Sequence, residues 1–188
     1  MADKLVQGIL PALCTPFTED GRQVAVERVG PLVAHLLAAG SGGFFVCGGT
    51  GEGTAMTVAE RQTMAATAID SVARAVPVIV QVGATSTENA VVLARHAARA
   101  GADAVASVAP VDAPNDLAAA VRHYAAVSAA ADLPFYVYWL AQDADRKVTP
   151  EQFLEGMARV PHFAGVKFTD TNFYFFQQLV DLAGDRLN

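Results

Sequence analysis

Lysine is scarce in this chain of 188 residues: it occurs only as Lys4, Lys147 and Lys167. Charged residues make up 17% of the sequence and sum to a net charge of −6, so there is no basic footprint for nucleic acid or an anionic membrane. Long hydrophobic runs are missing as well. The greasiest stretches, such as Val76 to Val82, are strand-length and far below the ~20 apolar residues a membrane helix needs. Met1-Ala2-Asp3-Lys4 lacks the charged-then-apolar layout of a signal peptide, so a cytoplasmic location is expected. Cys14 and Cys47 are too few for a disulfide framework and read as reduced packing residues. There is no Ser-centred elbow and no CxxC pair. His35, His96 and His123 fall on helical patterns without metal-ligand spacing, and His162 falls in a loop, which leaves them surface or packing roles.

What is plentiful is apolar surface: 53% of residues are hydrophobic, ample material for a core. It is distributed as short apolar runs alternating with longer amphipathic segments. Strands are predicted at Gly8 to Cys14, Gly43 to Cys47, Val76 to Val82, Ala104 to Val108, Phe135 to Tyr138 and Ala164 to Phe168. Between them apolar residues recur at three- and four-residue spacing, as in Val26, Val29, Leu32, Val33, Leu36 and Leu37. Thr57 with Glu60 and Thr85 with Glu88 fit the capping box, and Thr149-Pro150-Glu151-Gln152 adds proline at a first helical position. Ala39-Gly40 and Ala100-Gly101 mark helix ends. Six β-then-α units therefore follow one another over residues 1–188 as one domain. Strands apolar on successive residues are buried on both faces, which is the mark of a parallel sheet wrapped by helices. An open doubly wound sheet and a closed (β/α)8 barrel both satisfy that pattern, and in either the chemistry collects where strands run into the following loops.

Three features stand at such places. Lys167 lies inside the apolar run Phe163-Ala164-Gly165-Val166-Lys167-Phe168. A buried ammonium loses its hydration, and the neutral amine is the form that attacks carbonyls; a head group that snorkels or pairs with Asp170 is the blander alternative. Tyr138 closes the preceding strand. Alternation puts Tyr136 with Tyr138 and Gly165 with Lys167, so phenol and amine on neighbouring strands can meet at one end of the sheet. A phenol beside a lysine can relay protons in imine chemistry; a core tyrosine bonded to a carbonyl is the alternative. Finally, Cys47-Gly48-Gly49-Thr50-Gly51-Glu52-Gly53 follows the second strand. Its glycines permit close backbone approach, so its amides and the Thr50 hydroxyl suit a carboxylate or phosphate, although a plain tight turn explains it equally well.

Gly48-Gly49-Thr50-Gly51-Glu52, Leu133-Pro134-Phe135-Tyr136-Val137-Tyr138 and Gly165-Val166-Lys167-Phe168-Thr169-Asp170-Thr171 together resemble the N-acetylneuraminate lyase and dihydrodipicolinate synthase superfamily of class I aldolases. Gly83-Ala84 and Gly101-Ala102-Asp103-Ala104 agree in order, and the last long motif looks most like the N-acetylneuraminate lyase branch. The resemblance implies a (β/α)8 TIM barrel, usually a homotetramer, acting on a small-molecule 2-keto acid and an aldehyde without metal or organic cofactor. It implies that Lys167 forms the imine and that Tyr138 handles the proton. Gly49 and Thr50 would hold the pyruvate carboxylate, with Thr169 lining the pocket.

The sequence also departs from that family. A second hydroxyl residue is usual where Gly49 stands, so one contact is missing. Trp139-Leu140-Ala141 replaces the usual residues after the tyrosine, and Trp139 is expected to reshape the aldehyde pocket. Asp143 stands where the synthase branch keeps an arginine, and Val111-Asp112 where it keeps an aromatic pair. An aspartate cannot grip a dicarboxylic substrate as arginine does. A full barrel takes about 250 residues, and only six of eight units are present. Gly8 to Cys14 and Ala164 to Phe168 are therefore expected to keep unpaired edges. An aldolase of the same superfamily acting on another 2-keto-3-deoxy acid, or a dihydrodipicolinate synthase-like one, is one alternative, and a truncated, inactive relative with a binding or regulatory role is the other.

Overall fold

The computed structural model describes residues 4–110, 116–140 and 147–188. Val111, Asp112, Ala141 and Asp143 lie outside them. Helices and strands alternate: α1 (Val26–Ala38), β1 (Phe44–Val46), α2 (Val58–Val72), β2 (Val78–Gln81), α3 (Thr87–Ala100), β3 (Ala104–Ser107), α4 (Leu117–Ala131), β4 (Phe135–Leu140), α5 (Pro150–Met157), β5 (Phe163–Thr169) and α6 (Phe173–Ala183), followed by a 3₁₀ turn at Gly184–Arg186. The five strands form one sheet in the order β1-β2-β3-β4-β5, every pair parallel. Each crossover is a helix, as parallel strands require.

The apolar residues divide by sheet face. Val46, Val80, Val105, Val137 and Trp139 pack outward against the helices in the larger cluster. Phe45, Ile79, Ala104, Ala106, Tyr136 and Tyr138 form a smaller cluster on the other face, which is the concave interior. That is the two-residue period of a strand buried on both sides. Between β4 and β5 the period is interrupted once. Phe135 pairs with Phe163, but Tyr136 pairs with Gly165 and Tyr138 with Lys167, so β5 carries one extra residue at Ala164, a β-bulge.

Caps explain several helix starts. Thr57 with Glu60 and Thr149 with Gln152 make complete capping boxes. The third predicted box is displaced. Ser86, one residue beyond Thr85, caps α3 by accepting from the Asn89 amide, because its extended backbone is the last before the helix. Gly101 ends α3 in the left-handed conformation.

The predicted first strand is reduced to a single parallel bridge, Ala12 with Phe45. The Phe45 amide donates to the Pro11 carbonyl (3.0 Å), and the Leu13 amide donates to the Phe45 carbonyl (3.0 Å). Pro11 has no N–H to offer, and Gly8, at φ +75°, turns the chain out of extended geometry, so the ladder does not propagate. The outer edge of β5, expected to be bare, is paired at one point. Val166 donates to the Asn188 carbonyl (3.1 Å), and the Asn188 amide donates to Ala164 (2.9 Å). The Asn188 side chain then accepts from the Val6 amide (2.7 Å) and donates to the Val6 carbonyl (3.1 Å), tying the N-terminal segment to the β5 edge through one residue. Among the described residues no helix is long and apolar enough to cross a membrane.

Candidate active site at the strand ends

Lys167 and Tyr138 sit opposite one another in the β4–β5 register. Both face the interior, and the bulge at Ala164 is what gives Lys167 that orientation. The Lys167 amine lies over the Tyr138 ring, 3.5 Å from its centroid, and 4.7 Å from the centroid of Phe45. Tyr138 and Phe45 meet edge to face at 5.5 Å. The amine thus rests on two ring faces that hold it by cation–π attraction. Phe45 carried no signal in the sequence apart from its place in an apolar run, yet it forms the wall under the lysine.

The glycine loop begins at Cys47, whose φ of 59° is left-handed. The loop is held by hydrogen bonds from Glu52 N to Gly49 O and from Gly53 N to Gly48 O, each 3.0 Å, and by the Thr15 hydroxyl donating to Gly51 O at 2.6 Å. A β-carbon at Gly49 would lie 3.8 Å from the Tyr138 hydroxyl oxygen, so the loop reaches the phenol. Lys167, Tyr138 and Gly49 are therefore brought together. Thr50 is exposed beside Gly49 on the loop, and Thr169 is exposed two residues beyond Lys167 on the same face, opposite Leu140.

Trp139 is not in this pocket. As the neighbour of Tyr138 on an extended strand it points to the opposite face, where it is 1% exposed. It stacks on Phe175 (5.0 Å) and Phe168 (6.1 Å) and meets Phe153 edge-on (5.3 Å). Its indole N–H donates to Asp170 (3.1 Å). Burial pulls the Asp170 carboxyl up, but hydrogen bonds from Trp139 and from the Asn172 and Thr171 amides outweigh it and hold the group below the usual aspartate value. Asp170 is thus engaged with Trp139.

Two further groups support the site. Arg61, 4% exposed on α2, donates to the Gly83 carbonyl (2.8 Å) and to the Gln81 carbonyl (2.6 Å) and side chain (2.9 Å), fixing the end of β2. Cys47 donates its thiol to the Arg61 carbonyl, and burial pushes that thiol up to about 11, against the opposing charge of Arg61. Below Lys167 an interior cavity of about 200 Å³ is lined by Val6, Leu10, Phe45, Ile79, Tyr136 and Asn188. There the Tyr136 hydroxyl donates to Asn188 (3.2 Å), and burial raises it to about 12. Its hydrogen bond to Asn188 gives this phenol a structural place in the cavity wall. His123 is buried between the Thr87 and Ser107 hydroxyls, each 2.9 Å from a ring nitrogen, which is a packing role.

A lysine and a tyrosine thus face inward from adjacent parallel strands, with a glycine loop at the phenol. The model of the dihydrodipicolinate synthetase family matches residues 5–188. The chain belongs to that family. N-acetylneuraminate lyase of Mus musculus is 35% identical over 185 residues, covering 95% of this chain and 57% of the mouse protein. The 4-hydroxy-tetrahydrodipicolinate synthase of Methanospirillum hungatei is 30% identical over 182 residues, covering 96% and 62%. The N-acetylneuraminate lyase structure from Aliivibrio salmonicida superposes with a TM-score of 0.91 at 28% identity, covering 99% of this chain and 62% of that one. The parallel sheet with alternating helices is thus the larger part of a TIM-barrel aldolase fold, and the chain spans little more than half the length of these family members.

Proposed function

We propose that this chain carries the imine-forming half of a carbon–carbon lyase acting on 2-keto acids, N-acetylneuraminate lyase-like in type. The observation that supports it best is the Lys167 amine lying over the Tyr138 ring, both in the C-terminal half of adjacent strands and facing the interior. In this reading Lys167 attacks the keto carbon C2 of the substrate, and the carbonyl oxygen leaves as water. The protonated imine draws the electron pair of the breaking C3–C4 bond. Tyr138, left as phenolate after giving its proton to the departing water, takes the proton from the C4 hydroxyl as the aldehyde departs, and a proton delivered to C3 of the resulting enamine leaves the pyruvyl imine. Hydrolysis returns pyruvate and the free amine. Gly49 and Thr50 hold the carboxylate, and Thr169 borders the pocket; each stabilises charge where it develops.

The test is borohydride reduction in the presence of pyruvate, followed by peptide mapping. One pyruvyl group on Lys167 is expected. An adduct on Lys4 or Lys147, or none, removes the imine proposal. It would then favour the second reading, a binding or regulatory protein, for which the exposed Phe173 (71%) and Tyr174 (76%) of α6 already speak.

A further inference from the structure

The four glycines of the loop are not equivalent. A β-carbon at Gly48 would press on the Phe45 ring at 2.8 Å, one at Gly51 would sit 2.6 Å from the Leu13 carbonyl oxygen, and one at Gly53 would collide with the Cys47 carbonyl. These three are glycine because the backbone or a ring passes too close for anything larger. Gly49 is different. Its φ lies outside the left-handed range, and the sole neighbour a β-carbon would meet within 4 Å is the Tyr138 hydroxyl, at 3.8 Å, an ordinary contact. The fold has room for a side chain at Gly49 and the sequence supplies none, so a gap is left beside the phenol.

The position of that gap is informative if Lys167 forms an imine, the reading on which this inference rests. The keto carbon then has three substituents. One is the carboxylate, directed to the loop, and one is the Lys167 nitrogen. The third is C3, which must approach Tyr138 for the phenol to serve the oxygen on C4. A group attached to C3 therefore points to the space that Gly49 leaves empty. We infer that Gly49 sets the selectivity for the keto-acid donor: the gap admits 2-keto acids bearing carbon beyond the methyl group of pyruvate, 2-oxobutanoate being the simplest. Filling the gap from the loop disfavours the added carbon more than it disfavours pyruvate, so the ratio between the two donors is the readout.

Borohydride trapping tests this without knowledge of the aldehyde. Nζ attacks C2, the carbonyl oxygen leaves as water, and hydride from borohydride reduces the C=N bond to a stable amine. Adduct mass distinguishes the two donors in a single competition. Wild-type protein is expected to trap pyruvate and 2-oxobutanoate at about equal half-saturating concentrations. Gly49→Thr should shift the ratio against 2-oxobutanoate by about 10–200-fold, the range for one methylene that no longer fits a pocket. Gly49→Ala, the smaller change, should shift it in the same direction and carries the test if circular dichroism shows the threonine variant misfolded. A pyruvate adduct whose ratio to 2-oxobutanoate is unchanged in both variants overturns the inference. So does an equal loss of both donors, which would make Gly49 a backbone requirement. Absence of any wild-type adduct overturns the imine reading together with it.

Discussion

Trp139→Phe separates the outward tryptophan from the inward pocket. The substitution removes the indole N–H that donates to Asp170 at 3.1 Å and leaves a smaller ring among Phe153, Phe168 and Phe175. The bond runs to a carboxylate that is only partly buried, so its net loss should be about 0.5–1.5 kcal/mol. Replacing indole by phenyl leaves roughly 40 Å² of apolar contact unfilled, about 1 kcal/mol at ~25 cal/mol per Å². Together the loss is about 1.5–2.5 kcal/mol, or roughly 3–10 °C in melting temperature for a chain of this size. It should be read by thermal and urea unfolding at pH 7. The pH dependence has a definite sign. Because the folded Asp170 titrates below its ordinary 3.8, its contribution is present above that value and fades as pH falls through the lower, folded one. The wild-type advantage should therefore narrow only in that acid window. Pyruvate trapping at Lys167 should be unaffected. A variant as stable as wild type but altered in its choice of aldehyde would refute this placement and return Trp139 to the acceptor pocket.

Tyr138→Phe should lower turnover by about 10²–10⁴-fold, the range for a lost acid–base group, while the pyruvate adduct still forms, since the ring that carries the amine remains; near-normal turnover would reduce Tyr138 to a packing residue. In the glycine loop, Gly53→Ala should be destabilising by at least about 1–3 kcal/mol, as expected of an overpacked site, because the Cys47 carbonyl is backbone and cannot swing aside. Gly49→Ala should instead stabilise the fold by about 0.4–1 kcal/mol through the unfolded chain; denaturant unfolding of the two variants should move in opposite directions, and equal losses would contradict the distinction drawn between them.

The parts of this molecule that were legible in the sequence are those decided by local pattern. Apolar runs located β1 to β5, and a lysine within such a run marked Lys167, because burying an ammonium is costly enough to need a reason, although the structure leaves Lys167 half-buried. Tyr138 followed from alternation alone. The parts that were not legible depend on counting residues across strands or on what the backbone does at one position. Trp139 looked like part of the pocket because it adjoins Tyr138 in sequence, but adjacency on a strand means opposite faces. Pro11 and Gly8 hide in an apolar stretch that reads as strand and breaks the ladder. Thr85 and Ser86 both offer a capping hydroxyl, and only the helix phase decides between them. Arg61 carried no signal in its local pattern; its role requires the carbonyls of Gln81 and Gly83, twenty and more residues away.

The bulge at Ala164 has a consequence for which changes the protein can tolerate. Phe135 and Phe163 are paired with both rings in the helix-facing layer, and from that anchor a regular strand would send Val166 inward and Lys167 out among the helices. The single additional residue reverses this. Deleting Ala164 would close the bulge and leave a regular strand with Gly165 opposite Tyr136 and Lys167 still inward opposite Tyr138, whereas one residue inserted between Gly165 and Lys167 would move the amine to the far side of the sheet. Substitutions along β5 are graded in their effect, but an insertion past the bulge reverses the face of every residue that follows it. In this stretch the chemistry is encoded by the parity of a count as much as by the identity of any residue.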